Sequence, residues 1–394
     1  MGVQRRYLNL IVDSRVHGTK SLCRIDLNRQ GLFNKTTTDT ADDERKQTTS
    51  RAAPDSVAGN HQKKKHAAIN LGRITLPRPC FNFPVSASDL KDQRLQCLPV
   101  ADGKVFCADQ LGRGFLVEAD TRHAVTVPRL RKPKSRPISL FIPGTDLDDH
   151  EHDRGSFFIM ERTPKPEASE ESDQFEAFVY GRVSWHYRKC WSSRLLPPPP
   201  YLRDITTTCL HSCPEISAYA VVGSEICISV DGVGTYCLDT TTYKPYKWRE
   251  LGRWTLPFYG KVEYVAEQKL WFGFSAEDPR RFAAADLSVM ESQEPQLLGR
   301  LNDIDLPEEW KECRDPQLVY LGSGEFCIAR FFHTGTPHGN SGDELNDQSF
   351  AVLTGVAVVL HPNGGDGNAK LGMVIHKSRC HKSNGVDDTI TAVF

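Results

Sequence analysis

A short apolar core, introduced each time by a turn, recurs along this chain and constrains its fold more than any other feature. VFCAD begins at Val105, FFIME at Phe157, ICISV at Ile226, LWFGF at Leu270 and FCIAR at Phe326, each after a four-residue turn-like stretch. A sixth copy, LCRID at Leu22, follows residues 17–21. A repeated unit of this kind cannot bury its apolar face alone and must stack on its neighbours. The starts at 22, 105, 157, 226, 270 and 326 are separated by 83, 52, 69, 44 and 56 residues. The shortest gap matches a bare four-stranded propeller blade of roughly 40–50 residues, and the longer ones require inserted loops.

Other positions repeat in step. The fourth core residue is small in four units, Ala108, Ser229, Gly273 and Ala329, while Met160 and Ile25 depart. A small residue there lets neighbouring sheets approach closely. Units end on an apolar–Pro pair: Leu76 and Pro77, Val127 and Pro128, Leu196 and Pro197, Leu256 and Pro257, Leu306 and Pro307. Proline lacks the ladder donor and suits a strand end or a crossover. Asp26, Asp120, Asp239 and Asp286 mark turns before the last strand of a unit, as expected of a carboxylate that bonds the backbone two residues on. The clearest copy spans 221–258, where two β-type runs flank a turn at 231–234.

These patterns predict an all-β fold, a β-propeller of about six blades of antiparallel strands with long polar insertions; the alternative is a β-sandwich or two stacked β domains. Residues 1–27 and 67–380 are expected to form one propeller domain. Residues 28–66, rich in Thr, Asp and Lys and nearly free of large apolar side chains, are expected to be a disordered insertion. Residues 381–394 are expected to be a loose C-terminal tail. Trp271, Phe272 and Phe274 are expected to be buried, because blade strands are packed on both faces.

Composition excludes several functions. A formal net charge of −1 gives no global field for nucleic-acid or anionic-membrane binding. No apolar run approaches the roughly 20 residues of a membrane-spanning helix, and no secretory signal is visible. Twelve cysteines, several inside apolar strand runs (Cys107, Cys227, Cys237, Cys327), look like small hydrophobes rather than a disulfide framework. Reduced thiols and a cytoplasmic or nuclear location follow.

No residue pattern carries a catalytic, cofactor or metal assignment. There is no GxSxG elbow, phosphate-binding Gly loop or HExxH. The acidic loop 146–153 lacks the Gly and terminal Glu of a calcium loop, and Cys209, His211 and Cys213 lack a matching second pair. The basic run 129–137, RLRKPKSRP, is a candidate anion contact, but no aromatic residue interleaves it and a solvated linker is the simpler expectation. The polar loops 146–153, 165–174 and 334–349 are the expected contact surface for a protein partner.

Longer stretches resemble one family. VFCADQLGRGFLVEADTRHAVTVPRLRKPK, FIMERTPKP, FEAFVYG, GVGTYCLDT, LPFYGKVEYVAEQKLWFGFS and LGSGEFCIARFF are similar to the grass-plant family labelled domain of unknown function 1668, as are YLNLIVD and CRIDLNRQGLF near the N-terminus. The resemblance covers nearly all of the chain outside 28–66 and the tail. It implies a kelch-like or propeller-like fold and no established activity, cofactor or catalytic residue. The Gly-Gly pair of kelch blades is absent. The resulting expectation is a non-catalytic protein-interaction scaffold. The competing one is a kelch-type oxidase or hydrolase whose active site is distributed around the channel.

Overall fold

A computed structural model describes residues 4–14, 19–34, 71–84, 95–144, 155–166, 169–181, 189–204, 214–241, 246–301, 307, 310–334, 348–361, 370–383 and 388–394. In chain order the elements begin with β1 (Tyr7–Ser14), β2 (Thr19–Asp26), α1 (Leu27–Gln30), β3 (Gly72–Arg73) and β4 (Phe81–Pro84). Next come β5 (Gln96–Ala101), β6 (Lys104–Ala108), β7 (Gly114–Glu118) and β8 (His123–Val127), then β9 (Pro137–Ile142), β10 (Ser156–Glu161), β11 (Ser172–Gly181) and β12 (Cys190–Leu196). After α2 (Tyr201–Asp204) follow β13 (Ile216–Val222), β14 (Glu225–Val230), β15 (Gly234–Asp239) and β16 (Trp248–Gly252). The remainder is β17 (Phe258–Val265), β18 (Leu270–Ser275), β19 (Phe282–Ala285), β20 (Leu297–Leu301), β21 (Lys311–Gly322), β22 (Glu325–Thr334), β23 (Gln348–His361), β24 (Lys370–Ser383) and β25 (Thr389–Val393).

The strands form six blades. Blade 1 has the order β25-β1-β2-β4, blade 2 β5 to β8 and blade 3 β9 to β12. Blades 4 and 5 are β13 to β16 and β17 to β20, merged into one eight-stranded sheet by parallel pairing of β13 with β17. Blade 6 is β21 to β24, with β3 added in parallel to β24.

Period-2 alternation explains the stacking. Successive side chains of a strand point to opposite faces. In β14, Ile226, Ile228 and Val230 enter the layer shared with blade 3, whereas Cys227 enters the layer shared with blade 5. In β6, Val105 and Cys107 face blade 1 while Phe106 and Ala108 face blade 3. Six such apolar layers, one at each blade junction including that between blades 6 and 1, close the ring. Trp271, Phe272 and Phe274 are buried as expected. The small fourth residue is explained at Gly273, where a Cβ would lie 3.0 Å from the Phe258 ring. The Asp turns also form: Asp239 accepts from the backbone N–H and hydroxyl of Thr241, and Asp286 does the same with Ser288.

Several expectations are corrected. The core at Leu22 lies on β2, the third strand of its blade, whereas every other core lies on a second strand. Its true counterpart is β1, whose residues 8–12 are all buried. The tail is not loose. Residues 381–383 complete β24, and β25 pairs antiparallel with β1, with Leu10 opposite Val393. Alternating TITAV places Ile390, Ala392 and Val393 in buried positions, and Phe394 exchanges two backbone hydrogen bonds with Asn9.

Of the expected insertion 28–66, residues 28–34 belong to the fold, and 35–66 lie outside the described residues. Asp26 caps α1 by accepting from the Asn28 N–H, and Gly31 ends it with φ 57°. Leu32 then inserts between blades 6 and 1 with 1% exposure. Leu76 and Pro77 follow β3 at the edge of blade 6 rather than ending blade 1. Finally, Cys227 and Cys237, opposite each other on β14 and β15, form a disulfide. Two facing cysteines in antiparallel strands bring their sulfurs together, a pairing that sequence separation alone does not reveal.

Candidate functional site

The inner strands β25, β5, β9, β13, β17 and β21 surround a central channel. The first halves of these strands line one mouth. It is a cavity of about 630 Å³ bounded by Arg136, Arg162, Tyr259, Arg314, Asp315 and Thr391, among others. Their second halves line the opposite mouth, a cavity of about 660 Å³ that includes Asp102, Phe141, Lys261, Glu263, Tyr264 and Trp271.

The first mouth is built on Arg162, which directly follows β10 and is almost wholly buried. Its Nε donates to the Ile216 carbonyl at 3.2 Å and lies 2.7 Å from a Glu215 oxygen, and its Nη1 pairs with Asp315. Arg136 grips Glu215 with two bonds of 2.6 and 3.0 Å; this contact holds the Arg136 pKa above the ordinary arginine value. The Tyr259 hydroxyl donates to Asp315 at 2.8 Å, and the Arg162 guanidinium lies over the Tyr259 ring. One buried arginine thus ties blade 3 to blades 4 and 6 through charge-assisted bonds and to blade 5 through the Tyr259 ring.

Within the channel, parallel register sets Tyr219 of β13 beside Lys261 of β17. Lys261 Nζ lies 2.6 Å from Glu263. Burial acts to lower the Lys261 pKa, but Glu263 outweighs it and the net shift is upward. Burial raises the Tyr219 phenol. Both groups therefore hold their protons at neutral pH and act as donors rather than bases.

Residues 4–6 cross the second mouth. The Arg5 N–H donates to the Leu321 carbonyl of blade 6, its guanidinium pairs with Asp102 of blade 2, and Gln4 Nε2 donates to Glu325 at 2.6 Å. Burial pulls the Arg5 pKa below the usual arginine range, against the carboxylates of Glu263 and Asp120. Beside it, the rings of Tyr264 and Trp271 lie 4.4 Å apart.

Four of the five basic side chains in the run 129–137 (Arg129, Arg131, Lys132 and Arg136) are exposed, as expected of a solvated linker, but Lys134 and the backbone of the run are anchored. Lys134 and Glu176 form an ion pair with side chains 1% and 0% exposed. Glu176 also accepts from the backbone N–H groups of Arg131 and Lys132, and Glu161 accepts from those of Ser135 and Arg136. The run therefore wraps two carboxylates that β10 and β11 present. Gly112, at φ 76°, allows the close pass of this segment, because a Cβ there would collide with the Leu130 carbonyl.

Of the expected polar loops, residues 172–174 belong to β11, 334 to β22 and 348–349 to β23, and the described flanks of the three do not share a face. Arg162 and Thr163 place the start of 163–171 on the Arg162 side, and the paired ends of β21 and β22 at Lys311 and His333 place the flanks of 335–347 there too. Phe141 and Pro143, which precede 145–154, line the Arg5 side. Residues 146–153, and Cys209, His211 and Cys213, lie outside the described residues. Among the described residues, Glu225, Cys227 and Cys237 are the one trio with metal-ligating atoms mutually within 4.8 Å. Its two sulfurs are bonded to each other and Glu225 is paired with Arg249, so neither thiolate is available to a metal.

Sequence reasoning missed Arg162, Arg5 and the Tyr219–Lys261 pair. Each is a single residue brought to the axis by a separate blade, and no spacing rule connects them.

Comparison with curated proteins finds no match. Among solved structures, the β-propeller domain of Cps50 (Swd1) from Myceliophteria thermophila is 9% identical, covering 91% of this chain and 95% of that one at a TM-score of 0.37. BamB from Moraxella catarrhalis is 13% identical, covering 69% and 85% at 0.31. AztD from Citrobacter koseri is 10% identical, covering 77% and 76% at 0.29. The family described as protein of unknown function, DUF1668, matches residues 5–381, nearly the whole of the sequence, and the chain belongs to that family.

Proposed function

We propose that this protein is a non-catalytic interaction scaffold that binds a protein partner through the Arg162 face. The observation that carries this is the closed ring of six blades, which holds that face rigid while its second-to-third-strand loops vary in length and polarity. Loops on a rigid scaffold are a common means of recognition. A kelch-type enzyme is the second reading, favoured by the juxtaposition of Tyr219, Lys261 and Glu263 inside the channel.

Affinity capture from plant tissue, with residues 163–171 and 335–347 replaced by short Gly/Ser loops, tests the scaffold. Partner loss with an unchanged melt supports it. Full capture after both replacements, or turnover abolished by Lys261→Met, overturns it.

The proposal extends to a cytoplasmic or nuclear location. Cys97 and Cys107 face each other across β5 and β6 with sulfurs 3.4 Å apart and unbonded, which fits reduced thiols, whereas the Cys227–Cys237 bond argues the other way. No helix among the described residues is long and apolar enough to cross a membrane. Imaging of a fluorescent fusion decides: signal in the secretory system would reject the intracellular location.

A further inference from the structure

The Arg162 mouth carries more positive charge than its carboxylates neutralise. Glu215 is shared by Arg136 and Arg162, Asp315 by Arg162 and Tyr259, and Glu312 is paired with Arg330. Arg314 is left over. It lies on the exposed first half of β21, and its one bond among the described residues runs to the Thr391 carbonyl at 3.4 Å. Counting Arg330 with Glu312, four arginines (136, 162, 314 and 330) therefore meet three carboxylates (215, 312 and 315) in and beside one cavity of about 630 Å³, whose own lining includes Glu312 and Asp315 but not Glu215.

A second observation is independent of this count. The Arg162 side chain is 5% exposed, yet its Nη2 has no hydrogen-bond partner among the described residues. A buried donor of a charged group is costly to leave unmet, and such groups in native proteins call for an explanation such as an absent ligand or water.

We propose that the Arg162 mouth binds a single oxyanionic group, a carboxylate or a phosphate, whose oxygens accept from Arg162 Nη2 and from the Arg314 guanidinium. The guanidinium fork suits planar, bidentate oxyanion recognition. Glu312 and Asp315 in the lining limit the site to one such group and disfavour polyanions. Tyr259, Pro137, Pro279 and Pro316 give it stiff, partly apolar walls. The oxyanion has two possible sources, a free small anion or the acidic side chain of a peptide segment entering the channel.

Calorimetric titration of the full chain at low ionic strength separates these, using inorganic phosphate, succinate and a short Glu-containing peptide as probes. At least one probe is expected to bind saturably, and Arg314→Glu to weaken it about tenfold or more. Arg162→Met should do the same. Arg314 is on the surface, so Arg314→Glu stands as the deciding variant if Arg162→Met fails to fold. Arg113→Glu, an exposed charge reversal outside the mouth, should change affinity by less than about twofold. Tighter binding of the peptide than of succinate identifies a peptide ligand, and comparable binding a small anion; either supports the site. No saturable binding of any probe up to about 10 mM, or equal weakening by Arg113→Glu, overturns it. The two small-anion arms need no partner protein, so their failure would leave the capture experiment, and the scaffold proposal, standing.

Discussion

Blades 4 and 5 and blade 1 reach the same geometry by opposite routes. Blades 4 and 5 are each built from consecutive residues, in strand order, and are fused by the parallel β13–β17 pair. Blade 1 takes its inner strand from the C-terminus, its next two from the N-terminus and its outer strand from beyond the 35–70 segment. The first pair gains its contacts by short loop closures, while β25 and β1 must meet across almost the whole chain, at the entropic cost of a very long loop. Local blades need no distant strand to complete their sheets, whereas the seam is where the ring is either made or lost.

The largest expected effect tests that directly. Ending the chain after Ser383 removes β25 and with it buried Ile390, Ala392, Val393 and Phe394. At roughly 1.5–3 kcal/mol for each large buried side chain, the loss is about 5–10 kcal/mol, comparable to the whole stability of a domain. Urea melts should show a collapsed or non-cooperative transition, and a truncated chain with an unchanged midpoint would mean that β25 is ornamental.

Within the local pair, Phe272→Ala should cost about 3–5 kcal/mol. Phe272 is fully buried and meets both Phe282 and Phe326, so its loss opens the layer between blades 5 and 6. A cost below about 1 kcal/mol would place it with ordinary surface positions. Lys134→Ala, at the junction of blades 2 and 3, should cost a similar 3–5 kcal/mol, because it strands the Glu176 carboxylate. Pairing it with Glu176→Gln should recover part of the loss; a double variant worse than the sum of the singles would contradict a simple ion pair.

A smaller effect follows from buried thiols on the seam side. Burial pushes Cys23 and Cys327 up to about 12, from an ordinary 9.0. The unfolded chain then releases these protons first, so stability falls as pH rises from about 9 towards 12, by about 1 kcal/mol for each thiol near pH 10. Thermal melts between pH 8 and 11 should show the decline, and Cys23→Ala together with Cys327→Ala should make it shallower, the remainder belonging to other buried thiols such as Cys107 and Cys380. A slope untouched by both substitutions would assign it to other groups.

The smallest effect is expected from deleting residues 36–70 and joining the ends with a short linker. Leu32 and β3 remain, so the change should lie within about 1 kcal/mol, since loop length alters closure entropy only slowly. A larger drop would show that the segment packs on blade 6.

The architecture was legible because second-strand cores are buried on both faces and so repeat as uninterrupted apolar runs, as VFCAD, ICISV and LWFGF do. The misplaced core at Leu22 was also detectable. It stands four residues before Asp26, whereas the cores at Val105, Ile226 and Leu270 precede their Asp by 13 to 16 residues. The strand pattern of TITAV was equally visible, but position at the chain end argued for a tail. The two mouths were not legible. Arg162, Arg5 and Tyr219 come from different blades, and a sequence carries no sign of which residues the ring turns towards its axis. The anchoring of the basic run 129–137 was not legible, because its partners, Glu161 and Glu176, sit within apolar strands where no carboxylate pattern marks them.

The β1–β25 ladder has a mechanical consequence. Because the strands are antiparallel and Asn9 faces Phe394, the N-terminal end of one and the C-terminal end of the other leave the sheet at the same point. A force drawing the two termini apart loads these hydrogen bonds one after another, as a zipper, instead of shearing them together. A seam that is costly to break at equilibrium is therefore weak to pulling from the ends. An unfolding motor or a stretched fusion would open this protein at blade 1 first.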